Sequence, residues 1–185
     1  MAVAAARAVV DLEKMGWRGR VALLAGGHLP AGLAAERSLV AVGGGQEATQ
    51  ARVYDQRGIV DLDYVRAHLR SPGIVLVDAR TRALYTGAEL EGPERRGHIP
   101  GAINIPYTEV MANDGKMLPA EDLRALFDRA GVHRGELAVV YCHSGNKAAL
   151  VYLAARWAGI DARLYEGSWL EWSREVELPV ETGER

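Results

Sequence analysis

The segment VVYCHSGNKAALVYLAARWAG, residues 139–159, determines how we interpret the rest of the chain. It follows directly on Leu137 and Ala138, and together residues 137–141 form a short apolar run that predicts a buried strand. The segment ends with apolar residues at helical spacing, and Gly159 is expected just beyond the C-terminus of that helix. A strand, a short loop and a helix in this order predict one unit of an α/β sheet.

Cys142 is the only cysteine of the chain and opens the loop CHSGNK, residues 142–147. It lies where the predicted strand ends, and open α/β sheets bind their ligands at that edge. Backbone amides of a glycine-containing loop and the positive end of a helix both favour an anion. We therefore expect Cys142 to react as a thiolate, rather than to be a buried, inert thiol.

The remaining pattern alternates helices with strands. Predicted helices cover 4–15, 61–69, 119–130 and 168–176, and predicted strands cover 20–25, 73–78, 102–105 and 162–165. Asp61 and Ser168 are expected to cap their helices, and Pro119 to be the first residue of its helix. Trp169 and Trp172 are expected in the core. This alternation predicts an α/β fold with a central parallel sheet and helices on both faces.

Composition narrows the class of protein. The 185 residues include 22 basic and 24 acidic side chains, without a block of like charge, so nothing favours a nucleic-acid or membrane partner. Residues 1–10 are rich in Ala and Val, but Arg7 interrupts them, which makes a poor signal peptide. A single cysteine excludes an internal disulfide and fits a reducing compartment. We expect a cytoplasmic protein.

Four blocks of sequence resemble the rhodanese family of sulfurtransferases. They are VDAR at 77–80, GHIPGA at 97–102, CHSGNK at 142–147 and YEGSW at 165–169. Their order is similar to that in the catalytic, C-terminal domain of two-domain thiosulfate and 3-mercaptopyruvate sulfurtransferases. Several blocks in one order are more specific than any one of them alone. The resemblance implies a rhodanese-like fold.

A weak internal repeat relates residues 10–27 to residues 153–167. The resemblance implies that residues 1–40 are the C-terminal remnant of a first, inactive rhodanese-like domain, followed by a linker at 41–56 and a catalytic rhodanese domain at 57–185. An unrelated helix–strand unit is the alternative for the first segment. The front part of this first domain would then be missing. A shortened gene model, a degenerate first domain and a homodimer each explain this, and the sequence does not choose between them.

The resemblance also implies the chemistry. Cys142 would take the outer sulfur of thiosulfate as a persulfide and pass it to cyanide or to a thiol such as glutathione or thioredoxin, without a metal or other cofactor. Arg80 would bind the anionic donor, although a salt bridge to Asp78 or Glu91 is the alternative. The other expected substrate-binding residues follow the nucleophile in the loop, namely His143, Ser144, Gly145, Asn146 and Lys147.

Other chemistries fit the residues less well. The loops of cysteine-based phosphatases place Arg six positions after the cysteine, where this chain has Ala148. A zinc site needs more ligands than Cys142 and His143 provide. Two alternatives stay open: a 3-mercaptopyruvate donor, which Ser144 and Gly145 favour, and a non-catalytic persulfide carrier or regulatory module. We favour thiosulfate because Lys147 and His143 supply cations for an anionic donor. The alternative for Lys147 is a solvated surface lysine that binds no donor, which is the commoner situation for a lysine. His98 is expected to bond locally within its turn, and Tyr85 could line the pocket.

Overall fold

The computed structural model describes residues 2–15, 58–92 and 95–184. The strand predicted at 20–25 and the linker predicted at 41–56 lie outside these residues. The described elements, in chain order, are α1 (Ala2–Lys14), β1 (Ile59–Val60), α2 (Leu62–Ala67), β2 (Ile74–Asp78), α3 (Arg82–Thr86), β3 (Ile103–Asn104), α4 (Ala120–Ala130), β4 (Leu137–Tyr141), α5 (Asn146–Trp157), β5 (Asp161–Tyr165) and α6 (Ser168–Trp172). Among these helices, none combines the length and the apolar character that crossing a membrane requires.

The described strands form a single parallel sheet in the order β1-β5-β4-β2-β3. The strand predicted in front of Cys142 is β4, which lies at the centre and pairs with both β2 and β5. Parallel strands buried on both faces read as continuous apolar runs, and β2 and β4 have this composition. The predicted parallel α/β fold is confirmed.

The alternating side chains of β4 divide the core into two clusters. Ala138, Val140 and Cys142 belong to the cluster that contains side chains of α1, α4 and α5. Val139 and Tyr141 belong to the cluster on the other face, with side chains of α2, α3 and α6. Successive residues of a strand point to opposite faces, so helices cover both faces of the sheet, as predicted. The second cluster holds Trp169 and Trp172 at 2% and 0% exposure, which confirms their place in the core.

The ends of the helices test the predictions of capping. Asp61 caps α2, because its Oδ1 accepts a hydrogen bond from Tyr64 N at 2.9 Å. Pro119 precedes α4 instead of being its first residue, since its ψ of 151° is extended. Ser168 does not cap α6, which begins at Ser168 itself and ends at Trp172, earlier than predicted. The short elements β1 and α3 were not predicted.

Helix α1 packs against α5. Its residues Ala6, Val9 and Val10 are buried in the same cluster as the α5 side chains. Met15, the residue that follows α1, is 74% exposed. The described part of the predicted first-domain remnant therefore shares its core with α4 and α5, while the division into domains stays a prediction.

Glu13 is a buried acid at the contact between α1 and α5, with 8% of its surface exposed. Its Oε2 accepts a hydrogen bond from the Tyr152 hydroxyl at 3.4 Å. Burial raises the pKa of Glu13 to about 7, although the charge of Arg156 and the Tyr152 hydrogen bond act in the opposite direction. Ionisation of Glu13 thus opposes the packing of α1.

We predict that Glu13→Gln reduces the dependence of stability on pH. The folded chain binds more protons at Glu13 than the unfolded chain between pH 4.5 and about 7, so this group lowers stability as pH rises through that window. Between pH 5 and pH 8, the free energy of unfolding of the variant should therefore increase by about 1–3 kcal/mol relative to that of the parent. Urea denaturation at the two pH values measures this gain.

Glu177→Gln is the matched control, because Glu177 is exposed and loses the same charge. Its unfolding free energy should follow the parent at both pH values. Equal behaviour of the Glu13 and Glu177 variants would contradict the assignment.

Candidate active site

The loop 142–147 connects the carboxyl end of β4 to the start of α5. Cys142 follows the last residue of β4 and is only 1% exposed. Helix α5 begins at Asn146, and the first amides of a helix have no acceptor within that helix. These amides and the positive helix end favour negative charge in the loop. The loop therefore holds a protected thiol next to a region that stabilises anions.

Helix α6 fixes the backbone around Cys142. The Trp169 amide donates to the Cys142 carbonyl at 2.9 Å, and the Leu170 amide donates to the His143 carbonyl at 2.9 Å. The Cys142 amide donates to Ser168 Oγ at 3.2 Å, and that hydroxyl donates to the Tyr165 carbonyl at 2.9 Å. Ser168 has a φ of +57° and supports the Cys142 backbone instead of capping a helix. Its place in the block 165–169 was the only signal for this role.

Gly145 is the position at which the loop is packed most tightly. It has a φ of +84°, and a Cβ there would lie 3.0 Å from the Glu166 carbonyl oxygen and 3.2 Å from Arg7 Nη1. A side chain would be strained by both the backbone and the space, so this turn needs glycine. The loop is thus supported by the residue after β5 and by α1.

Glu166 connects α1 to this support. Its carboxylate accepts hydrogen bonds from Arg7 and from Lys14, whose Nζ lies 2.6 Å from Oε2. Burial would raise the pKa of Glu166, but the hydrogen bonds and charges of Lys14 and Arg7 lower it overall. The sequence placed Glu166 in a recognisable block but did not indicate its partners on α1.

Arg80 is held by Asp78, the alternative that the sequence had left open. Its Nη2 donates to Asp78 Oδ2 at 2.6 Å and to the Gly97 carbonyl at 2.7 Å, and its backbone amide donates to Asp78 Oδ1 at 2.9 Å. Its guanidinium carbon lies 4.6 Å from the centre of the Trp169 ring. Burial would lower the pKa of Arg80, but the charge and hydrogen bonds of Asp78 raise it overall. The role of Arg80 as a donor ligand stays a prediction.

His98 is structural, but it does not bond locally within the turn 97–102 as predicted, because its ring contacts Tyr85 of α3. His98 Nδ1 lies 2.8 Å from the Tyr85 carbonyl oxygen, and the two rings stack with centroids 3.8 Å apart. Burial lowers the pKa of His98. Tyr85 is 3% exposed and donates its hydroxyl proton to the Ala102 carbonyl at 2.8 Å, so it packs in the core instead of lining a pocket.

Lys147 and His143 lie on the partly exposed side of the loop, where a third residue joins them. Glu91 places Oε1 3.9 Å from Lys147 Nζ and Oε2 3.8 Å from His143 Nδ1. Lys147 Nζ also lies 5.5 Å from the centre of the Tyr107 ring. No pattern in the sequence around Glu91 predicted that its carboxylate would lie beside Lys147 and His143.

Of the other predicted substrate-binding residues, Ser144 and Gly145 lie in the loop and Asn146 begins α5. Ser144 and Asn146 are exposed, and Gly145 is buried. Five predicted residues therefore follow Cys142 directly, and Arg80 lies in a buried ion pair with Asp78. Within residues 2–15, 58–92 and 95–184, no group of three or more His, Cys, Asp or Glu side chains is arranged to hold a metal ion.

Known proteins resemble this chain in sequence. The family model Rhodanese-like domain matches residues 61–175. The 3-mercaptopyruvate sulfurtransferase of Escherichia coli is 40% identical over 110 residues, which are 57% of this chain and 38% of the relative. The thiosulfate sulfurtransferase of Corynebacterium glutamicum is 35% identical over 124 residues, which are 62% of this chain and 40% of the relative. The chain therefore spans about two fifths of the length of these relatives.

A solved structure supports the fold. A variant of EanB in complex with ergothioneine superposes with a TM-score of 0.79 at 23% sequence identity, covering 99% of this chain and 46% of that one. At this identity the likeness concerns the fold alone. With a family match over most of the length, and with Cys142 at the β4–α5 loop, the chain belongs to the family of rhodanese-like domains.

Proposed function

We propose that the protein is a sulfurtransferase that moves sulfane sulfur from thiosulfate to cyanide or to a thiol, through a persulfide on Cys142. The observation that carries this proposal is the position of Cys142, buried at the strand–loop–helix junction with its backbone held by α6. The site chemistry fits an anionic sulfur donor, because the start of α5 and Lys147 both favour negative charge.

In the first step the Cys142 thiolate attacks the outer sulfur of thiosulfate. A bond forms between the two sulfur atoms, and the S–S bond of thiosulfate breaks with its electron pair leaving on sulfite. The loop amides and the helix N-terminus stabilise the charge of the resulting persulfide, as an oxyanion hole stabilises an oxyanion. The ion pair of Arg80 with Asp78 contributes to this step by positioning Trp169. The Trp169 amide in turn holds the Cys142 backbone.

In the second step an acceptor attacks the terminal sulfur and the Cys142 thiolate leaves. Cyanide yields thiocyanate, and a thiolate such as that of glutathione or thioredoxin yields its own persulfide. The transfer consists of two nucleophilic displacements with a covalent intermediate, which is ping-pong chemistry. It needs neither a metal nor an organic cofactor.

A 3-mercaptopyruvate donor is the second candidate. The E. coli relative carries that name, and the exposed Ser144 can offer a hydroxyl to a keto or carboxylate group. Mercaptopyruvate has one carboxylate, whereas thiosulfate carries two charges. The number of cations that contribute to binding therefore distinguishes the two donors.

Cys142→Ser should abolish persulfide formation and sulfur transfer from thiosulfate to cyanide, because serine cannot accept sulfane sulfur. Mass spectrometry of the parent after treatment with thiosulfate should show one added sulfur on Cys142, and the variant should show none. The variant should keep the circular dichroism spectrum and urea midpoint of the parent. Transfer that survives in a folded Ser variant would refute the proposal.

Lys147→Ala should reduce kcat/KM for thiosulfate more than for 3-mercaptopyruvate. One charge-assisted contact contributes roughly 1.5–3 kcal/mol, so the loss for thiosulfate should be about tenfold to a hundredfold. Lys116→Ala is the matched control, because Lys116 is an exposed lysine that pairs with Asp114. An equal loss for both donors, with mercaptopyruvate the faster substrate, would favour the second candidate.

Multiple turnover separates an enzyme from a persulfide carrier. We expect repeated cycles with thiosulfate and cyanide, measured as thiocyanate produced per mole of Cys142. A single round of persulfide formation without turnover for cyanide, glutathione or thioredoxin would instead identify a carrier.

A further inference from the structure

Glu91 is a carboxylate at the place where we expect the donor anion to bind. Its two oxygens face Lys147 Nζ and His143 Nδ1 at 3.9 and 3.8 Å. Within the described part of the chain, neither Glu91 Oε2 nor His143 Nδ1 has a hydrogen-bond partner, although both atoms are buried. The carboxylate therefore faces the two polar groups of the loop without forming a hydrogen bond to either through these atoms.

The contact between Glu91 and the two loop residues is longer than a hydrogen bond and partly open to solvent. It is therefore an electrostatic attraction that is easy to break. The Glu91 side chain is 41% exposed and belongs to the loop segment 88–92, which has neither helix nor strand. Charges of partly exposed side chains at this distance attract one another only modestly, and salt screens them.

The second counter-ion near the site behaves differently. Asp78 is 0% exposed, lies at the end of β2 and binds Arg80 through several hydrogen bonds. Separating that pair would leave a buried charge uncompensated, which is strongly unfavourable. Of these two carboxylates, Glu91 is therefore the one that an incoming anion can replace.

We propose that Glu91 is a specificity-determining residue, an internal counter-ion that competes with the anionic sulfur donor for Lys147 and His143. The identity of that donor rests on the proposed function. When the donor binds, its negative charge takes the place of the Glu91 carboxylate, which turns outward into solvent. The competition is graded by charge, so it affects thiosulfate more than singly charged mercaptopyruvate.

The competition acts on binding and not on the chemical step. Removing a group that competes with the bound donor lowers KM and leaves kcat nearly unchanged. In Glu91→Gln, we expect KM for thiosulfate to fall about fivefold and KM for mercaptopyruvate to fall less, as the strength of an exposed ion pair implies. Glu89→Gln is the matched control, because Glu89 is exposed, lies in the same loop segment and loses the same charge.

A second measurement does not depend on sulfur transfer. Cys142 is the only thiol, so alkylation reports on this site alone. Its thiolate displaces iodide from neutral iodoacetamide or from anionic iodoacetate, two reagents of similar size that meet the same burial. The rate ratio of iodoacetate to iodoacetamide should rise about fivefold in Glu91→Gln at low salt. It should return towards the parental ratio at about 0.5 M salt, where exposed charges are screened.

The outcomes separate this inference from the proposed function. A ratio that stays at the parental value in Glu91→Gln, or that rises equally in Glu89→Gln, overturns the role of Glu91 even if sulfur transfer is normal. If the parent forms no persulfide, but Glu91→Gln still raises the ratio of alkylation rates, the proposed function is refuted. Glu91 then remains a counter-ion of the loop.

Discussion

The buried ion pair between Asp78 and Arg80 is the interaction on which the site depends. It joins the end of β2 to the Gly97 carbonyl and places the guanidinium against the Trp169 ring. The Trp169 amide in turn holds the Cys142 carbonyl. Because breaking one partner of a buried pair costs about 3–5 kcal/mol, this arrangement fixes the backbone at Cys142.

The packing of α1 extends this support to the other side of the loop. Arg7 and Lys14 hold Glu166, whose carbonyl oxygen lies against Gly145. Helix α1 thus contributes to the geometry of the loop that carries Cys142. The buried Glu13 makes the same packing sensitive to protonation, because its carboxylate is ionised only at a cost. Stability and site geometry are therefore linked through one helix.

The charges around the loop form two groups. Arg80 pairs with Asp78 inside the protein. Lys147 and His143 lie at the partly exposed side, facing Glu91. This arrangement explains how a site can keep a cation for an anionic donor while that cation still has a counter-ion.

Elements whose signals are local could be predicted from the sequence. Apolar periodicity identified β2, β4, α4 and α5, and a side-chain cap identified the start of α2. The position of Cys142 at a strand end followed from the same pattern, and the parallel sheet followed from the alternation of elements. These features depend on residues within one or two turns of each other along the chain.

Which distant side chains meet became clear only in the folded chain. The hydrogen bond from Arg80 to the Gly97 carbonyl, the one from the Cys142 amide to Ser168, and the contact of Glu91 with the loop all join separate segments. Short polar side chains such as serine carry several alternative hydrogen bonds in their local sequence, so a cap and a long-range support look alike. Charged side chains choose partners by burial and distance, and neither quantity exists until the sheet and its helices have packed.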